Sequence, residues 1–163
     1  MRSSDGIRGF FVAYLTGDGP VPSCLPPILK SSISSLETDE QARDLINLSI
    51  MNVVMPSAMS ATYYQRSLQD DDDGGPMEGS NISMSNTSKL TRDKGLTVLR
   101  HVLSLTETKT SFASAKEAVD SVIRVAEGNC GDGDVYWVSF FEKWGYGAAE
   151  KEAILHAMLK VKE

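Results

Sequence analysis

The sequence predicts an all-α protein, a bundle of six or seven helices in one domain, interrupted by one long disordered acidic loop. Three observations predict it. Apolar residues recur at i, i+3, i+4 and i+7 through most of the chain, which is the period of one helical face. The residues between these runs are helix caps and helix breakers. A single acidic, Ser-rich tract at 69–88 has no such period and divides the domain into halves 1–68 and 89–163.

The first helix is expected over 6–16, where Ile7, Phe10, Phe11 and Tyr14 share a face and Gly17 can end it. After a Gly/Pro turn, Pro26 or Pro27 suits the first turn of a short helix reaching about Ser35. Thr38 and Gln41 form a capping box ahead of a long apolar helix. Its residues Ala42, Leu45, Ile46, Ile50 and Val53 are apolar almost all round, so it is the central one. Pro56 should kink or restart it before it ends near Leu68. Residues 69–88 hold four consecutive Asp, Gly74-Gly75-Pro76 and many Ser, and bury too little to offset their ordering entropy.

A helix from about Lys89 to Leu105 follows, then a polar break at 106–110. Ser111 or Ser114 caps the next helix, whose Ala115, Ala118, Val119, Val122, Ile123 and Ala126 make one apolar face, and Gly128 ends it. Asp132 or Asp134 can cap a helix over 135–144. The last helix runs from Ala148 to about Lys162 with Ile154, Ala157, Met158 and Val161 inward. The alternative fold is α+β, in which 10–15 and 135–141 pair as two short strands, because both runs also carry strand-forming residues.

The chain has 163 residues, enough for one full core. Its net charge of −6 comes almost wholly from Asp70, Asp71, Asp72, Asp73 and Glu78, and the remainder is close to neutral. No basic stripe is present, which argues against nucleic-acid binding. No run approaches about 18 uninterrupted apolar residues, so no membrane span is expected. Cys24 and Cys130 are too few and too far apart for a disulfide framework or a metal cluster, and are expected as free, partly buried thiols. A reducing, intracellular compartment follows: the cytoplasm, or an organelle such as a plastid if a transit peptide has been removed.

No catalytic, cofactor-binding or metal-ligating set is visible. The Asp70–Asp73 run lacks the alternating spacing of a calcium loop. The Gly-rich stretch 128–134 follows a helix and carries Asp where a phosphate cradle needs Lys, so it is an interhelical turn. Met51, Met55 and Met59 at i, i+4, i+8 are expected as core, and His101 and His156 as rim or surface groups. Six of the twelve aromatics fall within 136–146. Trp137, Phe140, Phe141 and Trp144 share the inward stripe, and Tyr136 and Tyr146 should stay partly exposed. Tyr136, Trp137, Trp144 and Tyr146 are the candidate interaction surface. Ser67, just ahead of the Asp run, is a candidate phosphorylation site. With no chemistry-bearing cluster, the expectation is a non-catalytic helical interaction module that binds a protein partner, such as an assembly factor, adaptor or complex subunit. The alternative is a small-molecule-binding protein or enzyme with a pocket between the Met-rich and aromatic helices.

Overall fold

The structure is a computed structural model that describes residues 13–17, 19–36, 38–69 and 78–162. Residues 13–16 are helical. Six longer helices follow: α1 (Pro27–Ser34), α2 (Asp39–Gln69), α3 (Glu78–Ser104), α4 (Ala115–Glu127), α5 (Val135–Trp144) and α6 (Ala148–Leu159). Short 3₁₀ turns at Leu105–Glu107, Thr110–Phe112 and Asp132–Asp134 join the later ones. No strand occurs among the described residues, and 135–141 lie in α5, so the two-stranded alternative is excluded. The part of the first helix before residue 13, and the Asp70–Asp73 tract, lie outside the described residues.

The local signals place most boundaries. Pro27 occupies the first turn of α1, where a missing N–H costs nothing. The Gln41 amide donates to Thr38 Oγ1 at 3.2 Å at the start of α2. Gly128 (φ 79°) and Gly145 (φ 63°) end α4 and α5 in the left-handed conformation that only Gly adopts without a Cβ clash. The amides that follow reach back to close the last turns, Asn129 N to Arg124 O at 2.8 Å and Tyr146 N to Phe141 O at 3.1 Å.

α2 is the central helix. It is buried along one face from Ala42 to Ala58, and α3 and α6 pack along it. A window of α2 is long and apolar enough to cross a membrane by composition, but 56% of it is buried within the bundle, as in the core helix of a globular domain. α4 packs on α6, and the Thr110–Phe112 turn lays the fully buried Phe112 ring against α2.

Two sequence expectations about α2 and α3 need correction. First, of the kink or restart expected at Pro56, the restart does not occur: α2 runs as one span of 31 residues. Proline removes the N–H that would bond the Asn52 carbonyl. Gly95 of α3 lies directly over that carbonyl: a Cβ there would sit 2.5 Å from Asn52 O. The neighbouring Val53 carbonyl also accepts from Ser57 Oγ at 2.6 Å. The proline is therefore absorbed at the closest approach of the two helices.

Second, the tract assigned to a disordered loop is helical at both its ends. Gln69 ends α2, and 78–88 form the first turns of α3. The Ser-rich composition that suggested disorder instead supplies small side chains for close packing. Ser60 and Ser85 are buried face to face, and Ser85 Oγ donates to the Ser60 carbonyl at 3.0 Å.

Cations on α3 and just after it close the C-terminal ends of other helices. The ammonium of buried Lys94 donates to the Gly17 carbonyl, just past the 13–16 helix. Lys109 reaches the Ser34 carbonyl at the end of α1, and that of Leu36 at 3.4 Å. Arg100 Nη2 donates to Lys160 O at 2.5 Å, at the end of α6. Each places positive charge at the negative end of a helix dipole.

Candidate functional site

A groove lies between the second half of α2 and the turn that joins α5 to α6. α2 contributes Met55, Met59, Thr62, Tyr63 and Arg66 to its wall, and the turn between α5 and α6 contributes Trp144 and Tyr146. The cavity is about 420 Å³. Its floor is pinned by Glu150, whose carboxylate accepts from Thr62 Oγ1 at 2.9 Å and from the Gly147 amide at 3.1 Å. One side chain thus ties α6 to α2 and satisfies a free amide at the α6 N-terminus.

The aromatic rings form the opposite wall as a packed stack. Phe140 lies 5.5 Å from Trp137, 6.1 Å from Trp144 and 6.3 Å from Tyr146, centroid to centroid, and Phe141 meets Tyr146 edge-on at 5.3 Å. Burial of Tyr146, followed by the nearby Glu150 charge, pushes its phenol up to about 12. It stays neutral near pH 7, a hydrogen-bond donor rather than a base. On the α2 side, the Arg66 guanidinium lies 5.9 Å from the centroid of the Tyr63 ring.

The four residues named as an interaction surface do not stay together. Trp144 is 51% exposed at the groove, whereas Trp137 is 4% exposed and belongs to the core. The inward stripe of α5 is therefore Trp137 and Phe141, with Phe140 half-buried, and Trp144 lies beyond it. The helix ends there. Tyr146 borders the groove, while Tyr136, 54% exposed, stacks on Phe140 at 6.5 Å outside it. The methionines diverge in the same way: Met51 and Met55 are half-buried and Met59 is 44% exposed, so the stripe leaves the core.

Ser67, the candidate phosphorylation site, is buried in the folded protein. It is 6% exposed, and its hydroxyl donates to the Tyr64 carbonyl at 2.7 Å. It lies under a smaller cleft of about 270 Å³ between α2 and α3, bordered by Tyr64, Leu68, Ile82 and Lys89. Cys24 and Cys130 are free, and both are exposed rather than partly buried. No three His, Cys, Asp or Glu converge on a point among the described residues.

The Gly-rich stretch before α5 holds a device that the sequence did not disclose. Asp134 is buried and does not cap α5 with its side chain. Its carboxylate turns back to accept from Ser121 Oγ at 2.6 Å, Arg124 Nη2 at 2.7 Å, Arg124 Nε at 3.0 Å and the Gly131 amide at 2.9 Å. These bonds, that of Arg124 foremost, hold its pKa well below the usual carboxylate range. Arg124 also pairs with Glu117 at 2.8 Å. The cluster is saturated, and it locks the turn onto α4. The spacing of Ser121, Arg124 and Asp134 was the available signal, but it becomes a contact only once the turn folds back.

Residues 1–161 match the family model described as uncharacterised conserved protein UCP020893, and the chain belongs to that family. No curated protein matches the chain significantly. No solved structure matches it either.

Proposed function

We propose that this member of the family is a non-catalytic interaction module, an assembly factor, adaptor or complex subunit that receives apolar side chains of a protein partner in the α2/α5–α6 groove. The observation that carries this reading is the half-exposed pair Met59 and Trp144, which line one open cavity together. Methionine adapts its shape to a partner, and Trp, Tyr and Arg are the residues that most often dominate binding energy at interfaces. Arg66 and Glu150 at the groove supply one charge of each sign to orient a ligand. A groove running along a helix suits a partner helix presenting apolar anchors at i, i+3 or i+4.

The test is purification of the tagged chain under native conditions beside Met59→Glu and Trp144→Ala variants. A stoichiometric partner carried by the parent chain and lost from both variants supports the proposal, provided both variants keep their helical circular dichroism and a cooperative melt. Trp144→Ala should cost about 1–2 kcal/mol, less than the roughly 3–5 kcal/mol of a buried ring. A partner retained by both variants refutes the groove as its site.

The groove's volume of about 420 Å³ favours a second reading, a small-molecule ligand in the same place. A metabolite that raises the melting midpoint of the parent chain but not of Met59→Glu would support this reading over the first.

A further inference from the structure

A second cavity, of about 490 Å³, lies between residues 23–30 and the α3 segment around 97–101, bordered by neither Met59 nor Trp144. Its polar wall consists of Ser23, Cys24, Lys30, Thr97, Arg100 and His101. Both permanent charges are positive and no carboxylate lines the cavity, in a chain whose net charge is −6. Neither Lys30 nor Arg100 has an ion-pair partner among the described residues. Arg100 spends one donor on the Lys160 carbonyl and keeps the rest of its fork.

His101 points the same way. His101 lines the cavity, and its Nε2 is buried with no hydrogen-bond partner. Buried polar atoms are almost always paired, so an orphaned nitrogen on a residue that lines a cavity marks a place where a partner belongs.

We propose that this cavity binds a small organic anion, its oxyanion group held by Lys30, Arg100 and His101 and its carbon body laid on Leu25 and Pro27. Binding is linked to a proton. Burial, and then the Lys30 charge, keep His101 below the usual imidazole range, so near pH 7 it is neutral. An oxyanion offsets the Lys30 charge and needs a donor, so it favours the imidazolium. The charged and titratable groups that line the cavity with His101 are Lys30 on α1, Arg100 on α3 and Cys24 from the N-terminal segment. Affinity for an anion of fixed charge should therefore rise as pH falls through the range in which His101 gains its proton.

The chain has only two histidines, and His156 is exposed on α6, so its imidazole serves as an internal control. Both imidazoles would be followed by NMR against pH. The probes are inorganic phosphate and the straight-chain carboxylates from acetate to hexanoate, with ionic strength held constant by chloride. The proposal expects a saturable rise in the His101 pKa, no change at His156, and tighter binding as the carboxylate lengthens. Lys30→Gln and Arg100→Gln should each weaken binding roughly tenfold or more with unchanged melting. Three results would overturn it: a His101 titration indifferent to both probe types, an equal response to chloride, or full affinity in both variants. A response to phosphate and all carboxylates with no gain from chain length would remove the organic body from the assignment.

Discussion

Replacing Gly95 with Ala sets two effects of opposite sign against each other. In an exposed helix interior the change stabilises by about 1 kcal/mol, because Gly loses more backbone entropy on folding. At Gly95 the added methyl would lie 2.5 Å from Asn52 O, 3.0 Å from Asn52 C and 3.3 Å from Val53 Cγ2. The nearest two atoms are backbone and cannot swing aside. Restoring ordinary contact at about 3.5 Å requires α2 and α3 to part by roughly 1 Å. Overpacking a filled core costs about 1–3 kcal/mol, and this contact sits in the most extensive helix pair of the molecule, so the upper end applies. The balance is a loss of about 2 kcal/mol. For a domain of this size that is a melting drop of roughly 4–8 °C. Helical circular dichroism on heating, with urea unfolding as a second measure, reads it directly. Gly79 is the control: it lies in the same helix with open space where its Cβ would be. Gly79→Ala should be neutral or stabilising by up to about 1 kcal/mol. If Gly95→Ala melts at or above Gly79→Ala, the close approach at the Asn52 carbonyl does not exist and the account of how α2 absorbs Pro56 fails.

Phe112→Ala should cost roughly 3–5 kcal/mol by urea unfolding, because the ring is fully buried although it sits in a polar connection. Asp134→Asn should destabilise at neutral pH. Because the folded carboxylate is held below its ordinary value, its contribution is complete above about pH 4 and is lost as pH falls further. The stability gap between the parent chain and Asp134→Asn should therefore be constant from pH 7 to about 4.5 and narrow below it; a gap independent of pH would rule out the clamp. An acid-directed kinase should leave Ser67 unmodified in the folded chain, read by intact mass and peptide mapping, and should modify it only under conditions that open the α2–α3 pair.

The helices themselves were legible in the sequence. The Thr38 capping box, the Gly128 and Gly145 stops and the inward set Ile154, Ala157, Met158 and Val161 are local matters. Each depends on neighbours within one or two turns, and the chain always holds those neighbours together. The first turns of α3 were not legible, because Ser, Asn and Gly read alike in a solvated loop and in a close helix contact. Only the facing Ser60 tells the two apart. The cations that close the ends of distant helices were hidden for the same reason: Lys94 and Gly17 lie 77 positions apart.

The groove was half legible. The sequence by itself indicated that Met55 and Met59 share a helix face and that Trp137, Phe140, Phe141 and Trp144 recur at helical spacing. Tertiary structure alone decided that Met55 and Met59 line one groove with Trp144, that Trp137 belongs to the interior and that Trp144 stands half in solvent. The reason is physical. The period of apolar residues reports which side chains point the same way, and backbone geometry fixes that within each helix. Where burial stops along a face depends on how far the neighbouring helices extend, and that is set by the lengths and placement of α2, α5 and α6 together rather than by any one of them.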